Sequence, residues 1–308
     1  MLFRLDSDQD YILYPGSVDA KPSVYQLRRL FNDLEEISRL PDSDLVITVD
    51  FRYCRFLNHI AVAYLGGLAR LVESRNGRIV FDWKTLPKNI HANLAQNGFL
   101  FNFGCDRFPW DGNSVPYWNS CQHDPKDVGN YLRHKWLGKG WVNVSQGLGN
   151  AIAGNVSEIY LNAFEHSQSE IGVFSCGQHY PTLRSLHLAV IDFGIGIPTN
   201  VRSLPENASF SASETLSWAF QPGTTTVQDD IPRGLGLSVL QEFITKNQGS
   251  LEVFSNDGWV TVNNNGVSYK DTDINFPGTL VNIEVQCDEK YYCLASEVSS
   301  PTGRLLFS

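Results

Sequence analysis

Features that would tie this chain to a membrane, to secretion or to nucleic acid are missing from the sequence. No apolar run in the 308 residues reaches the roughly 18 residues of a membrane-spanning helix. The first residues, MLFRLDSDQD, lack the apolar stretch of a signal peptide. The 24 Lys and Arg are outnumbered by 33 Asp and Glu, and the net charge of −9 disfavours non-specific attraction to nucleic acid or anionic lipid. We therefore expect a soluble, cytoplasmic protein with no direct nucleic-acid partner and no membrane contact.

Paired cysteines, internal repeats, low-complexity tracts and heptads are also missing. The six cysteines show no C-x-x-C pair and no regular spacing, which predicts reduced thiols, most of them buried. The hydrophobic fraction of 42% and the charged fraction of 19% are those of an ordinary globular protein. A chain of this length predicts two domains of about 150 residues each.

Alternating strand and helix patterns between residues 11 and 100 predict an α/β layer. One of its helices, IAVAYLGGLARLV, is apolar nearly all round and should therefore be packed on both sides. The segment from Cys105 to Gly140 is rich in Pro, Gly, Asn and Trp, which favours a boundary. We expect a first domain at 1–105, a linker with a short helix at 106–144, a second domain at 145–290 and a tail at 291–308.

The second half predicts a helix over 145–167, the strand LHLAVID, an irregular stretch to Arg233, and a helix over 235–247. Three strands follow, SLEVFS, WVTVN and TLVNIEV. The fold class is therefore α/β, in the wider sense that includes α+β, with an antiparallel ending to the second domain.

Four segments of the second half carry residues suited to binding chemistry. Asp192 ends a buried strand, and Gly194 and Gly196 follow it, so a planar ligand can approach bare backbone beside a carboxylate. In the preceding helix, Glu158, Asn162 and His166 are spaced four apart and form a polar stripe beside an apolar one. Polar stripes of this kind are also typical of a solvated helix face.

The other two segments contribute glycine and hydroxyl groups. Gly234 and Gly236 open an amphipathic helix, where free N–H groups suit phosphates, and Arg233 adds a positive charge. A glycine-capped loop is the plain alternative. Thr279 follows Gly278 at the entrance of the last long strand.

Together, in this order, the four segments resemble the GHKL or Bergerat ATP-binding fold over about residues 145–286. This resemblance implies that Asn162 holds the magnesium that bridges the ATP phosphates and that Asp192 accepts a hydrogen bond from the adenine amino group, supported by Thr279. Gly194 and Gly196 would let a lid begin beside the base, and His166 would belong to the same binding stripe. The remaining implied nucleotide contacts are Thr225, Arg233, Gly234, Leu235, Gly236 and Leu237. The lid itself would span about residues 198–233.

Glu158 bears on the type of reaction. The resemblance places this carboxylate one helical turn before the magnesium asparagine, where it would polarise a water or a substrate hydroxyl near the terminal phosphate. We expect an Mg-ATP-binding protein that uses binding or slow hydrolysis to switch contacts with a protein partner. Two alternatives stay open: a serine/threonine protein kinase of the anti-sigma-factor type, and a nucleotide-sensing module without catalysis.

The first domain is similar to STAS domains, the fold of anti-sigma-factor antagonists. Asp50 ends a strand as in that family, but Asn58 and His59 stand about where the family carries a phosphorylatable serine. The domain is expected to serve as a recognition or self-association surface, or else as a cap that stabilises its neighbour.

Overall fold

The fold combines a mostly parallel sheet with an antiparallel one and is of the α+β kind. The structure is a computed structural model that describes residues 2–4, 10–40, 44–221, 223–224 and 238–298. Its strands are β1 (Leu2–Arg4), β2 (Asp10–Leu13), β3 (Val46–Asp50), β4 (Arg78–Asp82), β5 (Ser114–Ser120), β6 (Val173–Tyr180), β7 (Ser185–Asp192), β8 (Ser250–Asn263) and β9 (Gly266–Gln286).

Most of the helices are short, and residues Tyr131–Trp136 form a π-helical turn. They are α1 (Val24–Ser38), α2 (His59–Ser74), α3 (Lys88–Gln96), α4 (Phe99–Asn102), α5 (Pro125–Asn130), a π-helical turn (Tyr131–Trp136), α6 (Gln146–His166), α7 (Ile197–Arg202), α8 (Ala212–Ala219), α9 (Ser238–Asn247) and α10 (Ala295–Val298).

The first sheet has the order β1-β2-β3-β4, with β2, β3 and β4 parallel. Helix α1 begins where the Ser23 hydroxyl accepts the N–H of Gln26, whose own side chain accepts the N–H of Ser23. Helix α2 begins where Asn58 accepts the N–H of Ala61. The predicted strand and helix alternation over residues 11–100 is therefore confirmed.

The second sheet is antiparallel with the order β5-β6-β7-β9-β8. Helix α6 agrees with the predicted span and β7 with the predicted strand. The three strands expected after residue 248 are instead two long ones, because β8 continues through an irregularity at Ser255–Asn256 and pairs with β9 along its whole length. Strand β6, which lies between α6 and β7, was not predicted.

The layers follow the order sheet, helices, sheet, helices. One hydrophobic core joins the first sheet and α1 and α2 to one face of the second sheet, through residues such as Phe174, Ile191 and Phe276. A separate core joins the opposite face to α6 and α9. Helix α2 is thus packed on both sides, as its apolar sequence predicted, and β7 is buried along its full length.

The two glycines of α2, Gly66 and Gly67, allow this close packing. A Cβ atom added to Gly67 would lie 2.0 Å from Cε2 of Phe193, and one added to Gly66 would lie 2.2 Å from the hydroxyl of Tyr117. Both partner rings belong to the second half of the chain, so these glycines set how near α2 comes to the second sheet.

The variant Gly67→Ala should therefore destabilise the protein by about 1–3 kcal/mol, the usual cost of overpacking a core. Gly154→Ala in α6 is the matched control, since an added Cβ there meets no atom within 4 Å. That control should gain roughly 0.5–1 kcal/mol from lower unfolded-state entropy. Urea unfolding of both variants checks the pair, and a Gly67→Ala protein as stable as the control would contradict the packing of α2.

Segment 106–144 was expected to be a linker with a short helix, but it also supplies a strand of the second sheet and part of the second core. Strand β5 pairs with β6 at the edge of the second sheet, and Val115, Val128 and Trp136 enter the second core. Pro116 hid β5 from a pattern-based prediction, because a proline within a strand pattern argues against a strand except at a sheet edge or a bulge.

The expected irregular stretch between β7 and residue 233 is also partly helical. Helices α7 and α8 fill much of residues 197–219, and α8 packs on the β8–β9 hairpin through Leu216, which lies over Gly258. The expectation of a lid without regular structure is therefore wrong for residues 198–221. The available signal was the capping box of α8, in which Ser211 and Glu214 are three residues apart.

The cysteines differ from expectation in their exposure. All six are free, but only Cys54 and Cys176 are buried, Cys121 is exposed, and the other three are half-buried. Across the described ranges, no helix combines the length and the apolar character that crossing a membrane requires.

Candidate functional site

Asp192 lies at the end of β7, directly opposite Thr279 of β9. The carboxyl group is 2% exposed, and its Oδ1 accepts the backbone N–H of Gly194 at 3.0 Å. Burial raises the pKa of Asp192 to about 7, although hydrogen bonding from Gly194 and Thr279 works in the opposite direction. The site thus holds a buried carboxyl group that titrates near neutral pH, a common property of functional groups.

The loop after Asp192 is held so closely that only glycine fits. A Cβ added to Gly194 would lie 1.9 Å from the carbonyl oxygen of Ser167, and that oxygen accepts the N–H of Ile195 at 2.8 Å. Gly196 has a φ of 80°, in the region that favours glycine. The two glycines are therefore required by the close packing of this loop, because Ser167 fills the space beside Gly194 and the Asn256 side chain fills the space beside Gly196.

Two residues of β8 that sequence reasoning missed hold the same loop from the other side. The Ser255 hydroxyl accepts the N–H of Ile197 at 2.8 Å and lies 3.1 Å from the hydroxyl of Thr279. Asn256 donates its Nδ2 to the carbonyl of Ile195 at 3.1 Å. The polar run Ser-Asn-Asp-Gly inside a strand pattern was the available signal, since such a break often marks a bulge.

The polar stripe of α6 begins beside the start of α9. Asn155, another residue that sequence reasoning missed, accepts the backbone N–H of Leu240 with its Oδ1 at 2.9 Å. Glu158, Asn162 and His166 follow Asn155 by three, seven and eleven residues and share its side of the helix. Asn155 therefore lies beside the start of α9, and the rest of the stripe extends from it along α6.

The members of this stripe differ in exposure. Glu158 is exposed, Asn162 is half-buried, and His166 is half-buried at the end of the helix, where it contacts a neighbouring group. The polar face is thus open to solvent at Glu158 and closes towards the Ser167 end that contacts the Gly194 loop.

The structure therefore brings together Asp192, Gly194, Gly196 and Thr279, and it places Glu158, Asn162 and His166 on the helix that borders their loop. The other predicted contacts lie outside the described residues: Thr225, Arg233, Gly234, Leu235, Gly236 and Leu237.

The donor set suits a metal that arrives with phosphates better than a free ion. Among the side chains that the structure describes, no group of three or more His, Cys, Asp or Glu residues could hold a metal ion. Magnesium in phosphate sites keeps several waters and takes other ligands from the phosphates, so it needs few protein atoms. A single amide such as Asn162 fits that requirement.

The comparisons with known proteins add no relative. The chain matches no protein-family model and no curated protein. Its function is therefore inferred from the residues and geometry of the site.

Proposed function

We propose that this protein binds Mg-ATP at the site around Asp192 and uses ATP binding or slow hydrolysis to switch its contacts with a protein partner or a second copy. In this proposal the second sheet and its helices form a GHKL-type domain, and the first sheet and its helices form a STAS-like domain. The observation that carries the proposal is the buried Asp192 carboxyl group, opposite Thr279 and followed by backbone that only glycine allows.

Each residue has a defined part in the proposed site. Asp192 accepts a hydrogen bond from the exocyclic amino group of adenine, and Thr279 orients that carboxylate. Asn162 holds the magnesium ion, which when bound neutralises part of the phosphate charge. The exposed Glu158 carboxylate orients a water molecule and takes its proton.

Thermal unfolding with nucleotide tests the binding step. A ligand at a hundredfold excess over its Kd stabilises the folded state by about 2.7 kcal/mol, which is roughly 5–10 °C in Tm for a domain of about 150–250 residues. Mg-ATP and Mg-ADP should both produce such a shift, whereas Mg-GTP should produce less. An unchanged Tm at millimolar Mg-ATP would exclude the proposal.

The variant Glu158→Gln should keep the Tm shift but release phosphate about 10²–10⁴ times more slowly, the usual contribution of a positioned acid or base. Glu242→Gln is the matched control, because Glu242 is an exposed glutamate of α9 paired with Lys246. Phosphate release measured under ATP saturation separates the two. Equal rates in both variants would show that Glu158 is not the base.

The kinase alternative is separated by the fate of the labelled terminal phosphate, which would appear on protein rather than in solution. Transfer within the chain to the STAS-like position is disfavoured, because His59 is 2% exposed and its Nε2 lies 2.9 Å from Oδ1 of Asn282. A kinase activity would therefore act on a residue other than His59, in this chain or in another polypeptide. If neither released nor transferred phosphate is found while the Tm shift persists, the protein is a nucleotide-sensing module.

A further inference from the structure

A cleft lies at one edge of the first sheet, and its lining residues are separate from those of the site around Asp192. It encloses about 710 Å³ and is formed by the loop that follows β2, the first turns of α1 and Tyr53 after β3. Strands β2 and β3 are parallel neighbours, so their carboxyl ends meet at this edge. Clefts at the carboxyl ends of parallel strands are the usual ligand sites of α/β layers, and sites for small ligands commonly enclose about 300–1,000 Å³.

The walls of this cleft are rich in tyrosine. Tyr14 and Tyr53 lie with ring centroids 5.3 Å apart, and Tyr25 borders the cleft from α1. Tyr25 and Tyr53 are each 69% exposed, which is unusual for large aromatic side chains. Exposed tyrosines around a concavity offer apolar ring faces together with polar hydroxyl groups, a combination typical of binding surfaces.

One charged side chain of the cleft, Arg29, makes no close ion pair with a described residue, although the buried Asp33 one helical turn on interacts with it electrostatically. Lys21 forms an ion pair with Glu284 at 2.5 Å, and Asp19 accepts a hydrogen bond from Nε2 of Gln26 at 2.9 Å. Arg29 of α1 is half-buried, and no hydrogen bond or ion pair joins its guanidinium to any residue that the structure describes. Its guanidinium also lies against the backbone of Gly16, where an added Cβ would be 2.6 Å from Cζ.

We propose that this cleft binds a small molecule that carries an aromatic ring and one carboxylate or phosphate group. Arg29 supplies the charge and the planar donors that bind such anions. The rings of Tyr14 and Tyr53 supply the surface on which the aromatic part packs. None of the residues that line this cleft belongs to the site around Asp192, so the proposal stands whether or not the protein binds nucleotide.

Fluorescence titration of the full-length protein with 2-naphthoate and with 1-naphthyl phosphate tests the proposal. Ligands of this size should bind with a Kd of about 1 mM or tighter. Cyclohexanecarboxylate, which has the charge without the ring, is followed by competition, as is 2-naphthalenemethanol, which has the ring without the charge. Both should bind at least fivefold more weakly.

Variants assign the binding to the cleft. Arg29→Gln should weaken binding of both probes at least tenfold, and Tyr53→Ala at least threefold. Arg28→Gln is the matched control, since Arg28 is the preceding residue of α1 and pairs with Asp273 at 2.7 Å outside the cleft. Because Tyr53 is largely exposed, its variant keeps the test valid even if Arg29→Gln unfolds. Absent saturable binding, or equal binding by the wild type and the Tyr53→Ala variant, would overturn the proposal.

Discussion

Asparagine in place of Asp192 should abolish the rise in Tm caused by Mg-ATP, and above neutral pH it should leave a protein more stable than the natural one in the absence of nucleotide. The amide keeps an oxygen that can accept the Gly194 N–H, now at 3.0 Å. It loses the anionic oxygen that the adenine amino group requires in the proposed site. Since a hydrogen bond to a charged group contributes about 1.5–3 kcal/mol, nucleotide binding should weaken by about a hundredfold.

The gain in stability follows from the pKa of Asp192, which burial raises from its ordinary value of 3.8 to about 7. The folded state therefore holds the proton more tightly than the unfolded state, and the natural protein loses stability as pH rises between these two values. The full loss is on the order of 4 kcal/mol, and asparagine removes it. Urea unfolding of the variant at about pH 5 and pH 8 measures this difference.

Asp50 offers a matched control for both effects, because it also ends a strand and is buried. Burial alone would raise its pKa, but the hydrogen bonds and charge of Arg52 lower it instead. Asp50→Asn should therefore reduce stability at neutral pH and keep the full nucleotide response. A natural Tm shift in the Asp192→Asn variant would refute the assignment of Asp192.

Acid should weaken the contact between helix α2 and the second sheet through a pair of buried histidines. His59 of α2 and His187 of β7 have ring centroids 5.0 Å apart, and burial lowers the pKa of each to about 3. His59 contacts Tyr180 and Asn282, whereas Nδ1 of His187 has no partner among the described residues. Glu252 and Glu284 also face this cluster, and Lys21 pairs with Glu284.

Because the folded pKa values lie below the ordinary histidine value of 6.5, this part of the stability is complete above pH 6.5 and is lost as pH falls towards 3. Between about pH 7.5 and pH 5.5 each histidine should cost about 1.4 kcal/mol. Asp192 acts in the opposite direction over the same range, so the effect is measured as a difference between the wild type and a variant.

His187→Gln is the variant that isolates this effect, since it removes one titrating ring from the cluster. It should unfold with a pH dependence about 1.4 kcal/mol smaller over that range. His134→Gln, at an exposed position of the π-helical turn, is the matched control because it removes a histidine outside the buried pair. If His187→Gln and His134→Gln give the same pH dependence, the buried pair does not couple stability to pH.

Much of the local structure follows from short-range patterns. Helix α6 and strand β7 were predicted nearly to the residue, because a capping serine and 3.6-residue spacing mark one and an unbroken apolar run marks the other. The two-sided burial of α2 was predicted from its lack of a polar face. That Asp192, Gly194 and Gly196 share one loop follows directly from their positions in sequence, whereas their part in a binding site stays a prediction.

Tertiary structure alone decided which distant residues meet. The pairing of Asp192 with Thr279 depends on the register of β7 and β9, and the support from Ser255 and Asn256 depends on an irregularity in β8. The same holds for β5, which is a strand because β6 is its neighbour, and for α8, which packs on the β8–β9 hairpin. These contacts join segments separated by many residues, and their free energy appears only when the chain has folded around them, so no local pattern of apolar and polar residues predicts them.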